Sequence, residues 1–196
     1  MRLLTILVVL GALGAGGGLA AICLGLPDVA ATTPHWKLTE WVLSTTMEKA
    51  VERRAAGIPV PGDLSEPARV RAGAGEYDEM CAVCHAAPGV EAASLAEGLL
   101  PEPPDLADEI EEWAAAELFW ITKHGVRMTG MPGFGPTHDD AELWDIVAFL
   151  QRLPELSPTE YRSLVEGARG EQEHDHGGDG ASGSGRAHED EHDHAH

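Results

Sequence analysis

From Leu3 to Leu26 every position except Thr5 is apolar or glycine, and one cation, Arg2, precedes the run. As a helix these residues extend about 36 Å, enough to cross the hydrocarbon core of a bilayer. Residues 1–27 therefore read as a transmembrane anchor. The alternative is a secretory signal sequence, for which Val29-Ala30-Ala31 offers a small-residue cleavage site. Residues 28–65 come next as a juxtamembrane helix and linker. Trp36 and Trp41 fall where interface anchors are expected, or where an amphipathic helix would dock on a domain, and Val42, Met47 and Val51 follow on the same segment. Pro59, Pro61 and Gly62 mark the linker.

Helical spacing returns in residues 66–166. Glu66-Pro67 followed by Ala68 to Met80 predicts a helix with proline tolerated in its first turn. Glu109 to Thr122 predicts another, with Leu118 and Ile121 inward and Glu111, Glu112 and Glu117 toward water. Thr137-His138-Asp139-Asp140 reads as a helix start with Thr137 as cap, because Leu143, Ile146, Val147, Leu150 and Leu153 then recur at helical intervals. The flanks of these segments read as helical and loop-like. From 167 to 196 the composition shifts to Gly, Ser, Asp, Glu and His without an apolar residue larger than alanine. Such a stretch cannot bury enough surface to fold alone and is expected to be a disordered tail.

One motif changes the picture. Cys81-Ala82-Val83-Cys84-His85 is the C-x-x-C-H pattern of c-type haem attachment, with two thiols for the vinyl groups and an imidazole for the iron. A thioredoxin-like C-x-x-C wants a βαβ neighbourhood that these flanks lack. A structural zinc site needs further ligands, and Cys23 stands far away in the apolar run. Downstream, Met131 sits in the Gly/Pro-rich segment Gly130-Met131-Pro132-Gly133-Phe134-Gly135, and a thioether suits haem iron opposite histidine. Met128, three residues earlier, is the competing methionine.

With this pair in place, residues 66–166 resemble the class I cytochromes c, especially the membrane-associated domains of oxidase and dehydrogenase cytochrome subunits. The resemblance implies an all-α fold class, a small cytochrome c fold wrapped around one covalent haem c, with His85 and Met131 as axial ligands. It implies that Gly73 and Tyr77 occupy the small and aromatic positions of the first helix and Phe149 the aromatic position of the last, Gly73 leaving room for Phe149. It also implies that a proline carbonyl among Pro101, Pro103 and Pro104 accepts the ring N–H of His85. Trp113 and Trp120 could shield the haem, although core packing is as consistent with them. His124 and His138 read as cap or surface residues.

The resemblance implies electron transfer without substrate chemistry, and the membrane-anchored reading puts the haem domain in the periplasm of a bacterium, tethered to the inner membrane, or soluble there if the leader is cleaved. Two alternatives stand beside a free carrier: a subunit of a larger respiratory oxidoreductase, and a periplasmic metal-binding protein. The second rests on His174, His176, His188, His192, His194 and His196, which could bind copper, zinc or nickel. Formal net charge is −20, and residues 66–166 alone hold 20 acidic and six basic side chains. Nucleic acid is excluded as a partner by that balance, and a redox partner protein with a basic docking surface is expected.

Overall fold

The computed structural model describes residues 1–176, with the backbone alone from 171 onward. Helix α1 (Arg2–Cys23) buries no residue and has a mean hydropathy of 2.2, so it is long and apolar enough to cross a membrane. Helix α2 (Lys37–Ala55) buries only its last turns, at Val51 and Ala55. Helix α3 (Pro67–Glu76) starts on Pro67 as expected, and a single π-helical turn, Tyr77–Cys81, leads directly into the short α4 (Ala82–His85). Beyond a loop come α5 (Leu106–Glu109), α6 (Ala115–His124), α7 (Asp140–Leu150) and α8 (Pro158–His176). Apart from one isolated antiparallel bridge between Ala87 and Val90, the described residues hold no β-structure.

The core forms where α3 crosses α7. Leu143, Ile146, Val147, Phe149 and Leu150 are buried along α7, and Val70, Gly73 and Ala74 meet them from α3. A Cβ on Gly73 would fall well inside contact distance of the Asp145 carbonyl, and 2.9 Å from the Ile146 nitrogen. The room left by Gly73 is therefore taken by the backbone of α7 rather than by Phe149. Phe149 lies one turn on, against Tyr77, with ring centroids 5.0 Å apart. Arg69 ties the same crossing from outside, pairing with Asp145 on α7 and, at 3.0 Å, with Asp63.

Three elements depart from the sequence expectation for local reasons. The helix expected over Glu109 to Thr122 is interrupted: Ile110–Glu112 form a 3-10 turn, Trp113 and Ala114 are extended, and α6 starts at Ala115. The Glu117 carboxylate accepts the Ala114 N–H at 2.8 Å and so caps the new start, while Ile110 is buried on the other side of the break. At α7 the cap is Asp139 rather than Thr137. Its carboxylate accepts the N–H groups of Ala141 and Glu142, and the Glu142 side chain accepts the Asp139 N–H in return. Thr137 instead donates to the Phe134 carbonyl.

The third departure is α8, which continues ten residues past the expected tail boundary at 166. Tyr161, Val165 and Ala168 are buried along it, and Ala168 packs on Gly75 of α3. Arg169 pairs with Asp78 at 2.6 Å, and the Tyr161 hydroxyl donates to the same carboxylate at 2.7 Å. These contacts hold a helix whose composition is otherwise polar. His174 and His176 stand on its last turn, and His188, His192, His194 and His196 lie outside the described residues.

Gly73→Ala is expected to destabilise the domain at the upper end of the ~1–3 kcal/mol typical of overpacking, because its methyl meets backbone that cannot rotate away. For a domain near 100 residues this corresponds to an unfolding midpoint roughly 10–15 °C lower. Thermal unfolding followed by circular dichroism measures it, and an unchanged midpoint would contradict the close crossing.

Candidate functional site

The C-x-x-C-H segment owes its position to the π turn, which inserts an extra residue between α3 and α4. Tyr77 opens that turn, is completely buried, and donates its hydroxyl to the carbonyl of Ala86 at 2.7 Å. Burial pushes the Tyr77 hydroxyl far above its ordinary pKa, so it acts solely as a neutral donor. Ala86 follows His85 with a positive φ of 57°, and its carbonyl bond to Tyr77 fixes the point where α4 ends. Cys81 is buried and Cys84 half-buried. Burial, helped by the nearby Glu76 and Cys84, pushes the Cys81 thiol up to about 12, which keeps it neutral in an apolar setting.

His85 is oriented by the loop opposite. Its Nδ1 lies 2.9 Å from the carbonyl oxygen of Pro104, which selects Pro104 from the three prolines left open by the sequence. With Nδ1–H donating to that carbonyl, Nε2 is left as the nitrogen available to a metal.

Cys81, Cys84, His85 and Met131 all line one cleft. Its walls are mostly apolar: Leu118 and Ile121 from α6, Ile146 and Leu150 from α7, Leu99 and the prolines 101, 103 and 104 from the loop, and Trp113 from the break before α6. Leu118 and Ile121 thus face the cleft as expected from their spacing. Trp120 does not line it, and packs instead against His124 at 4.9 Å with Arg54 5.8 Å above its ring. His138 lies 3.8 Å from Glu76 and 2.8 Å from the Thr137 hydroxyl.

Met131 is delivered by a tightly pinned loop. Its N–H donates to the Thr129 hydroxyl at 3.1 Å, its carbonyl accepts the Val126 N–H at 3.2 Å, and Thr129 in turn donates to the Val126 carbonyl at 2.8 Å. Gly125, at φ 65°, and Gly133 let the loop lie directly on the end of α6, where a Cβ on Gly133 would come within 2.7 Å of the His124 carbonyl carbon. Met128 points away: it is 86% exposed, with a φ of 63°. Thr129 and Met47 are among the members of this site that sequence reasoning missed. Thr129 supports the Met131 loop, and Met47 reaches the cleft from α2. Met47 and Val51 were visible at helical spacing, but nothing in them told which surface they would meet.

Residues 68–150 match the family model described as cytochrome C oxidase, cbb3-type, subunit III. That match supports a cytochrome c domain over this segment. The match covers less than half of the chain and ends before α8, and no curated protein matches the chain. A cytochrome c domain implies haem c and haem-based electron transfer, and the residues present fit that group: an apolar cleft for the macrocycle, two thiols on its rim, an imidazole with Nδ1 already engaged, and a thioether. Among the described residues no group of three or more His, Cys, Asp or Glu side chains is arranged to hold a bare metal ion. Most of the tail histidines expected to do so lie beyond those residues.

Tyr77→Phe should leave the Ala86 carbonyl without its partner in the core and cost about 1–3 kcal/mol, with the haem still attached. Guanidinium unfolding followed at the Soret band gives the value, and a change below about 0.5 kcal/mol would mean that Ala86 is held by something else.

Proposed function

We propose that this chain is an exported electron carrier, tethered to the membrane by α1, in which Cys81 and Cys84 attach one haem c and His85 and Met131 are its axial ligands. The observation that carries the reading is the convergence of those four side chains on one apolar cleft, with His85 already aimed by Pro104. When bound, the haem supplies a one-electron change between ferrous and ferric iron. The protein does the rest by position. The Pro104 carbonyl holds the His85 tautomer, the Thr129 hydroxyl holds the loop that presents Met131, and Leu118, Ile121, Ile146 and Leu150 exclude water. A neutral thioether in an apolar cleft disfavours the more charged ferric state and raises the potential. No general base or nucleophile is needed.

The acid-rich surface, with six basic against 20 acidic residues over 66–166, favours a partner with a basic docking face, since complementary charge speeds encounters between short-lived partners. A second reading, a cytochrome subunit of a larger oxidoreductase, is favoured by the description of the matching family model. Purification from native membranes in mild detergent separates the two: a fixed stoichiometry of other subunits supports the second, and a lone cytochrome supports the carrier.

Met131→Leu is expected to abolish the iron–sulfur charge-transfer band, and Met131→His to keep six-coordinate iron while lowering the midpoint potential by on the order of 100 mV, within the span of about 0.8 V that axial ligands command. Met128→Leu should change neither band nor potential. Optical redox titration reads both. Loss of the band in Met128→Leu with its retention in Met131→Leu would reverse the assignment.

A further inference from the structure

Helix α2 has two apolar faces, and the haem domain covers one of them. At about 100° per residue, Met47, Val51 and Ala55 fall on one side, where Val51 and Ala55 are buried in the packing of α2 on α6 and Met47 enters the cleft. Leu38, Trp41 and Val42 fall largely on the opposite side, at 70%, 64% and 44% exposure, and Trp36 just before the helix is 85% exposed.

The chain itself says what covers that face. Thirteen residues join the apolar α1 to Lys37, a tether of at most ~45 Å when fully extended, and Leu24, Leu26 and Val29 within it are exposed as well. Tryptophan is favoured at the headgroup level, where its ring is half in hydrocarbon and its N–H is in water. Anionic headgroups are not the attraction. The chain carries a formal charge of −20, and Lys37 and Lys49 on α2 are paired with Glu40 and Glu52 of the same helix, at 3.2 and 2.6 Å. Zwitterionic lipid meets the face through its apolar and indole groups.

We propose that α2 lies in the membrane interface, its Leu38–Trp41–Val42 face in lipid and its Met47–Val51–Ala55 face against the haem domain. The cleft is thereby held about one helix diameter, ~10 Å, from the bilayer surface. This placement rests on α1 being a retained membrane anchor. It makes α2 a spacer that sets both the height and the orientation of the haem cleft, so that a partner embedded in the same membrane meets the cleft at short range.

The test uses the full haem-loaded chain in phosphatidylcholine vesicles, with Cys23→Ser to remove the free thiol and one nitroxide label at a time on Val9→Cys, Val42→Cys or Glu166→Cys. Glu166 is exposed on α8 and serves as the aqueous reference. Collision with a water-soluble nickel chelate is expected to be several-fold lower at residue 42 than at residue 166, and collision with oxygen higher, with residue 9 deeper still. Equal chelate access at residues 42 and 166, with residue 9 in lipid, would overturn the proposal while leaving the anchor intact. Residue 9 in water would overturn the anchor itself. Shielding at residue 42 accompanied by dipolar broadening between labels would mean that a second copy covers the face, and would also overturn the proposal.

Discussion

The rest of the domain depends on how closely α3 approaches α7. At Gly73 the two helices touch backbone to backbone, since any Cβ there would collide with the Asp145 carbonyl. That approach brings Tyr77, one turn later, against Phe149, and from Tyr77 the π turn and α4 carry Cys81, Cys84 and His85 to the cleft. The Tyr77 hydroxyl then fixes the end of α4 through Ala86. A wider crossing would move the imidazole away from Pro104. Helix α8 braces the same place from behind, because Tyr161 and Arg169 both converge on Asp78, within the π turn.

Charge and chemistry are separated in space. The chain carries a formal charge of −20, yet apart from His85 and Glu102 the cleft is lined by apolar side chains, prolines, two threonines, two thiols and the thioethers of Met47, Met80 and Met131. Other carboxylates serve at helix ends and in pairs on the outside: Asp139 and Glu142 cap α7, Glu117 caps α6, and Asp145 and Asp63 hold Arg69. Electron transfer asks little movement of a protein, and the Met131 loop shows how that is arranged. Thr129 closes a small ring of hydrogen bonds around it, and two glycines seat it on the end of α6.

Much of this was legible in the sequence because the motifs state chemistry outright. Cys81, Cys84 and His85 name their job by adjacency, Met131 is set apart from Met128 by Gly130 and Pro132, and the periodicity of Leu143 to Leu150 marks the face of α7 that is buried. What was not legible depends on contacts distant in sequence or on competition between near-equivalent groups. Three prolines could accept from His85, and only the path of the loop selects Pro104. Two residues could cap α7, and Asp139 prevails because Glu142 reciprocates. The break before α6 comes from Ile110 turning into the core, and the persistence of α8 past Gly167 comes from Ala168 and Arg169 meeting α3 and the π turn. Met47 belongs to a stripe whose spacing was plain but whose destination was not.

The most direct measurement is tandem mass spectrometry of the peptide carrying Cys81 and Cys84, from protein matured with haem-attachment machinery and extracted with acidified acetone. The account predicts the mass of one haem on that peptide, bound through both cysteines and resistant to extraction. An unmodified peptide, or haem lost to the solvent, would contradict it.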